Sequence, residues 1–251
     1  MVLPFAFVGC DDDVLDGVDT GKVAVQFKAT DALATKSSIE NGTRSLSFDN
    51  LLNVTSFKIN VSEIEFDFDD DDDLAYKFGG SFSYDDDVKL RGPFEVDLIS
   101  NGTLQVETLL SGLQLPKASF EEIEFEMNKS RNSSSAMFGQ TIRIEGDVMG
   151  VPFIFASNKE FDFEVEFDRP FIPGDNAIVA VNFYVNRLFS KAISGIDFTQ
   201  AVDYNKNGII EIYYNDDDDR SYNYQLGKRI WDLLDDIIDC DDFDDDDDDD
   251  D

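Results

Sequence analysis

The sequence predicts an all-β fold, an antiparallel β-sandwich of about ten strands with a C-terminal capping helix. Three observations carry this. Phe161–Asp168 (FDFEVEFD) alternates apolar and acidic residues with a period of two, the mark of a strand with one face on a core and one in water. The same alternation recurs at Ile64–Asp69 (IEFDFD) and Glu122–Met127 (EIEFEM). Between such runs, turn-forming residues recur at short intervals, the spacing of a sandwich.

Taken in order, Lys22–Thr30 alternates Val23, Val25 and Phe27 and reads as the first strand, and Asp31–Arg44 is loop-like in its Ser, Thr, Asn and Gly. Val54–Asp69 is long and changes phase: Phe57, Ile59 and Val61 hold one parity, Ile64, Phe66 and Phe68 the other. A one-residue slip turns every side chain over, so a β-bulge or break is expected near Ser62–Glu63. Asp69–Asp73 reads as a loop, residues 74–84 as a short strand, and Gly79-Gly80 as a turn. Phe94–Ile99 runs into Asn101-Gly102, a strong two-residue hairpin signal, with Thr103–Leu110 as partner. Leu113–Leu115 leads through Pro116 to Ser119–Met127, and Asn128–Ser135 is a loop by composition. Thr141–Val148, Val151–Ser157 and Glu160–Asp168 form three closely spaced strands. Pro170, Pro173 and Gly174 break the chain. Ala177–Val185 is nearly all apolar and reads as a central strand buried on both faces. Arg187–Ser194 is a short helix. Tyr222–Ile238 places Leu226, Ile230, Trp231, Leu234, Ile237 and Ile238 at helical spacing, with Gly227 weakening the pattern. The organisation is then an N-terminal segment 1–21, a sandwich domain 22–186, a C-terminal extension 187–240 and an acidic, disordered tail 241–251.

The chain has 251 residues, 42% of them hydrophobic and 23 of them Phe, so a large core can be buried. Against 20 Lys+Arg stand 55 Asp+Glu, for a net charge of -35. That field repels nucleic acid and anionic lipid headgroups and attracts cations and basic surfaces. The Asp runs, at Asp11–Asp13, Asp69–Asp73, Asp85–Asp87, Asp216–Asp219 and Asp244–Asp251, read as solvated loops and tail. Histidine is absent, which removes His-dependent triads and His-ligated zinc. The two cysteines, Cys10 and Cys240, cannot build a disulfide framework.

Phe7-Val8-Gly9-Cys10 resembles a bacterial lipobox, in which the cysteine is lipidated and becomes the mature N-terminus. The apolar run before it is too short to span a bilayer and lacks a basic n-region, so it reads as a truncated signal peptide. Asp11–Asp13 directly after Cys10 resembles the export signal of Bacteroidota surface lipoproteins. The implied address is the outer membrane, surface-exposed and held by a lipid anchor only.

Asp203-Tyr204-Asn205-Lys206-Asn207-Gly208 matches the first half of a calcium loop: oxygen side chains at alternate positions converge, and glycine permits the sharp turn. The Ile209 carbonyl and the Glu211 carboxylate would complete the ligand set Asp203, Asn205, Asn207, Ile209 and Glu211. The twelfth position is Tyr214, not Glu, and Ile209–Tyr213 alternates like a strand, so this is not an EF-hand; Asp216–Asp219 could supply further oxygens. The plain alternative is an Asn-Gly β-turn. The acidic strand faces offer a second route to cations: were two such strands adjacent, opposed carboxylates would repel unless cations, Lys or Arg intervened. No nucleophile elbow, P-loop or dinucleotide fingerprint is present.

Gly92–Ile99 (GPFEVDLI) followed by Leu113–Phe125 (LQLPKASFEEIEF) resembles the strand-and-turn pattern of a family of Bacteroidota lipoproteins of unknown function, "vDLl" and then "lPaGxYxxIxf", with Ala118-Ser119-Phe120 where those proteins have Gly-Thr/Ser-Tyr. Phe189–Glu211 is similar to their "idFsxAxvdxnGxIxI" segment, which precedes a helix and an Asp-rich end. The resemblance implies a lipid-anchored β-sandwich without known enzymatic activity, and it carries over no catalytic residues. The expected function is therefore a non-enzymatic, lipid-anchored envelope protein with a binding or structural role toward a cell-surface ligand or protein, with calcium as the one candidate cofactor. The alternatives are a carboxylate-based carbohydrate-active enzyme and a weak calcium-buffering acidic surface protein.

Overall fold

The computed structural model describes residues 19–31, 36–40, 43–49, 51–68, 87–215 and 222–240. The lipobox, Cys10, the strand expected at 74–84, most of the Asp runs and the tail 241–251 lie outside them. The fold is all-β. Its fourteen described strands form two sheets.

The smaller sheet holds β1 (Thr20–Thr30), β7 (Val106–Pro116), β12 (Ala177–Tyr184) and β14 (Ile238–Cys240) in the order β14-β12-β1-β7. The larger has the path β11-β8-β4-β9-β10-β13, built from β4 (Leu52–Phe68), β8 (Phe120–Met127), β9 (Ile142–Val148), β10 (Val151–Ser157), β11 (Phe161–Phe171) and β13 (Ile210–Tyr214). Strands β2 (Lys36–Glu40), β3 (Thr43–Phe48), β5 (Asp87–Ser100) and β6 (Thr103–Leu104) complete it from the other flank of β4.

The alternation decides which side chains go inside. Ile64, Phe66, Ile123, Phe125, Phe163 and Val165 are all buried, and the acids between them point outward. The sheets meet through rings. Phe27 of β1 and Phe183 of β12 face Phe125 of β8 and Phe163 of β11; ring centroids are 5.1 Å apart for Phe27–Phe125, 5.0 Å for Phe27–Phe183 and 4.8 Å for the stacked pair Phe125–Phe163. Four interlocked rings combine large buried area with favourable edge and offset geometry.

The phase change in β4 is a register shift between Val61 and Glu63, seen against both β5 and β8. It keeps Ile59 and Val61 and then Ile64 and Phe66 on the core side of one 17-residue strand. Asn101 and Gly102 take positive φ of 48° and 62° and close the β5–β6 hairpin with Ser100 opposite Thr103. The partner expected at Thr103–Leu110 is divided: Thr103–Leu104 pairs with β5, and from Val106 the chain crosses to the other sheet as β7 beside β1.

Several expectations are corrected. The loop read at Asp31–Arg44 contains β2 and the start of β3, paired with Glu40 opposite Thr43; the two residues between are Asn41-Gly42, a hairpin signal masked by the polar composition around it. Two pairings in the predicted antiparallel sandwich are parallel, β1 with β12 and β10 with β13. Alternation fixes a strand's faces and is indifferent to its direction. Pro170 does not end β11, which continues to Phe171 past an irregularity after Glu166; an edge strand tolerates proline there. β12 is covered on both faces only in its second half: Val179, Val181 and Phe183 are inside, and on the other face Asn182 is buried while Ile178 is 46% exposed.

After β12 come two short helices, α1 (Val185–Phe189) and α2 (Lys191–Ser194), where one was expected. The predicted helix 222–238 is α3, Tyr224–Trp231 only. The chain leaves the helix at Asp232, which pairs with Lys228 of the last turn at 2.6 Å. Asp235–Ile237 form a 3-10 turn, and Ile238 enters β14 opposite Phe183. Gly227 has a packing reason: a Cβ there would lie 2.9 Å from the Tyr213 carbonyl oxygen, so glycine lets α3 press against β13. The segment after residue 186 thus adds one strand to each sheet.

Phe27→Ala removes the ring that touches both sheets and is expected to cost about 3–5 kcal/mol in urea unfolding. Gln26→Ala, on the outer side of the same strand, should stay within about 0.5 kcal/mol of the parent.

Candidate functional site

Once the rings set the register, the acids have no freedom of placement. In β8–β11 the pairs Phe125–Phe163 and Ile123–Val165 face the core, so the outward pairs are Glu126–Asp162, Glu124–Glu164 and Glu122–Glu166. In β8–β4 they are Glu126–Glu63, Glu124–Glu65 and Glu122–Asp67. Nine carboxylates therefore form three rows across three adjacent strands. The condition set by the sequence, that adjacent acidic strands repel unless cations intervene, is met on one flank: Arg91 and Lys89 of β5 stand opposite Glu63 and Glu65 and pair with them at 3.0 and 2.7 Å. The middle strand has acids on both sides, and no described Lys or Arg pairs with Glu122, Glu124 or Glu126.

The electrostatic consequence falls on the middle strand. Partial burial, then the charges of Glu164, Glu121, Glu166 and Glu65, raise the Glu122 carboxyl above its ordinary value. Partial burial and Glu65, Asp162, Glu164 and Glu126 do the same for Glu124; partial burial and Glu63, Asp162, Glu160 and Glu65 do so for Glu126. Asp162 is raised by desolvation and Glu160. Carboxylate oxygens of Glu122, Glu164 and Glu166 come within 4.8 Å of one another, close enough to share one cation.

The rest of this outer face is different. On its other half Lys58 pairs with Asp97, Arg143 with Glu145 at 2.5 Å, and Asn53 donates to Asp147 at 3.0 Å. Between the halves, residues 128–141 fold over Asn60 and Glu95, and Ser130 and Ser135 donate to the two Glu95 oxygens at 2.5 and 2.6 Å.

The sequence-predicted turn is brought together. Asp203 Oδ1 accepts from the Lys206 N–H at 2.7 Å, and its Oδ2 from the Gly208 N–H at 2.8 Å. Asn205 Oδ1 accepts from Asn207 N–H, and Asn207 Oδ1 from Ile209 N–H. The side-chain amides of Asn205 and Asn207 donate to Glu211 Oε1 at 3.1 and 2.8 Å. Gly208 has φ of 88°, as the sharp turn requires. The chain then enters β13, not a helix, as the alternation of Ile209–Tyr213 predicted. Asp203, Asn205, Asn207 and Glu211 converge, and the turn is closed by its own hydrogen bonds. The Ile209 carbonyl has the place in the chain that a seventh-position ligand requires. Asp216–Asp219 and the lipidation site Cys10 are outside the described residues, as is the side chain of Cys240.

A separate small cavity of about 30 Å³ lies under α1, α2 and the β3–β4 turn, lined mainly by Phe48, Leu52, Phe189, Ile196 and Phe198. That is room for about one or two waters. At its mouth Asp197 accepts from Lys191 Nζ at 2.7 Å and from Thr199, which holds its carboxyl down at about 2. No Asp or Glu is among the buried side chains of the described residues. No described helix is long and apolar enough to cross a membrane.

Fold and site together define a class: a β-sandwich that displays a carboxylate ladder on the outer face of its larger sheet. No protein-family model, curated protein or solved structure matches the chain.

Two outcomes follow for stability. Glu124→Gln, which removes the charge between Glu65 and Glu164, should raise unfolding stability by about 1 kcal/mol at low salt, and the gain should shrink as salt screens the ladder. Folding raises the carboxyls of Glu122, Glu124 and Glu126, so above the ordinary glutamate value of 4.5 the folded state binds more protons than the unfolded chain. Stability then falls as pH rises and increases as pH is lowered toward that value. Asp197 acts in the opposite sense, its contribution being present above 3.8 and lost as pH falls toward about 2. The urea midpoint is expected to climb from about pH 7.5 to about pH 5 and to drop again in stronger acid.

Proposed function

We propose that this protein is a non-enzymatic, lipid-anchored component of the cell envelope, displayed at the outer-membrane surface, with a binding or structural role carried by its acidic sheet face. The observation that carries the reading is the ladder. Nine carboxylates lie in direct cross-strand register on a solvent-facing sheet, with basic partners at one flank. Such a face gains free energy from whatever brings positive charge to it, a counter-ion or a basic surface. Carboxylates used as a glycosidase acid and base work as a pair flanking one bond; these are spread in rows on an open sheet. The lipid anchor rests on Phe7-Val8-Gly9-Cys10 and the following Asp11–Asp13. Calcium is the proposed stabilising ion of the Asp203–Glu211 turn, whose Asp203, Asn205, Asn207 and Glu211 are held together by hydrogen bonds.

Metabolic labelling with a fatty acid tests the anchor: label is expected on the parent chain and not on Cys10→Ala, and an unlabelled parent would refute the localisation. Thermal melts test the ion. At matched ionic strength the melting temperature should be higher in calcium than in EDTA with sodium chloride, and Glu211→Gln should reduce the difference. Identical melts in the two buffers would rule calcium out as the stabilising ion.

A further inference from the structure

The ladder ends at a strand whose other side is paired with no described strand. β11 closes the path of the larger sheet, so half of its N–H and C=O groups point away from β8. A row of such groups is a template for another strand. An open groove of about 490 Å³ is lined by four residues of this strand, Asp162, Phe163, Glu164 and Glu166. The Phe163 ring is buried against Phe125, so what this residue presents to the groove is main chain.

We infer that β11 is a docking edge for an extended segment of a partner protein, one with Lys or Arg at alternate positions, which adds to the larger sheet as a further strand. This rests on the proposed reading of the acidic face as a binding surface, and it names the partner's chemistry. The sheet already contains the arrangement once. Arg91 heads the row Glu63–Glu126–Asp162, and Lys89 heads the row Glu65–Glu124–Glu164. Both cations come from β5, at the end of each row remote from β11. A strand added to β11 with basic residues two apart places a cation at the open end of the same rows, because Asp162, Glu164 and Glu166 share one face. Opposite charges directly across strands then give the specificity, and main-chain hydrogen bonds give the affinity.

The other occupants fit less well. A second copy pairing β11 with β11 antiparallel about Glu164 sets that residue against itself and Asp162 against Glu166. The Asp runs of this chain at 69–73, 85–87 and 244–251 meet the same repulsion, and 74–84 carries one cation, Lys77, where the three rows ask for basic residues at alternate positions.

The test uses the full chain and fluorescent peptides of about eight residues, the length of a strand. One alternates Lys and Thr. The second has the same sequence with the backbone nitrogens of one edge methylated, which keeps the charge and removes the donors. The first should bind at low salt, slow amide exchange in residues 161–167, and bind at least about tenfold more tightly than the second. Equal affinity of the two peptides would overturn strand addition and leave the acidic face as a charge-selective binding surface. Failure of both to bind would overturn this inference and the proposed binding role together, while the fatty-acid label reads the anchor independently. The comparison alters the peptide and not the protein, so folding does not enter.

Discussion

Ring packing between the two sheets is the constraint on which the remainder rests. Phe27, Phe183, Phe125 and Phe163 come from four strands and meet within 4.8 to 6.1 Å, apart from the diagonal Phe125–Phe183. In a strand the side-chain period is two, so fixing the inner residues fixes the outer ones. Placing Phe125 opposite Phe163 obliges Glu124 to stand opposite Glu164. The magnitudes show why the core prevails. Each buried Phe contributes about 1.5–3 kcal/mol, and a well-placed ring pair adds about 0.5–1.5 kcal/mol. A like-charge pair directly across two strands costs about 0.2–1 kcal/mol in water. Sliding β8 by two residues against β11 would preserve faces and yet still oppose acid to acid, since every outward residue from Asp162 to Glu166 is acidic. Repulsion is therefore inherent in pairing these strands, and the burial and stacking of the rings decide the register.

Much of this was legible in the residues. Alternation gave the faces of β4, β8 and β11, and the parity change at Val61–Ile64 located the register shift. Asn101-Gly102 gave its hairpin, and the Asp203–Gly208 spacing gave a sharp turn closed by its own side chains. What escaped was of two kinds. Local signals were outvoted by their surroundings, as at Asn41-Gly42, where a polar stretch hid a hairpin, and at Tyr222–Ile238, where six apolar residues at helical spacing serve a helix, a 3-10 turn and a strand in succession. Non-local facts were not written in any window. Strand order is set by contacts between segments far apart in the chain, and the ladder exists only because β4, β8 and β11 are neighbours. The sequence supplied three acidic faces; the topology made them one surface.

The charge of -35 is thus distributed with a pattern. The half of the outer face around Lys58, Asp97, Arg143 and Glu145 is neutralised by its own side chains. The half built on β8 and β11 is not, and partial burial together with the neighbouring acids raises the carboxyls of Glu122, Glu124, Glu126 and Asp162. Two halves of one sheet, with the same backbone geometry and the same solvent, differ in where their cations stand: Lys58 of β4 and Arg143 of β9 lie among the acids of one, and β5 brings Lys89 and Arg91 to one flank of the other. The two β5 cations pair with Glu63 and Glu65 of the first column and leave the middle column under repulsion from both sides.

An exposed edge is a hazard in any sandwich, because unpaired backbone groups accept strands indiscriminately. Charged residues along the edge are the usual defence, and the sign of the charge determines what the defence admits. Were β11 lined with Lys and Glu in alternation, antiparallel pairing of two copies could match opposite charges in a shifted register, and the edge would invite self-association. With Asp162, Glu164 and Glu166 all acidic, no register that pairs Phe161–Phe167 of one copy with the same segment of another brings a cation across from them. The same three residues therefore exclude copies of this chain and favour a segment of opposite charge. Protection against aggregation and selectivity for a partner become one property of the edge, and both follow from the Phe-and-acid alternation once β11 is placed last in its sheet.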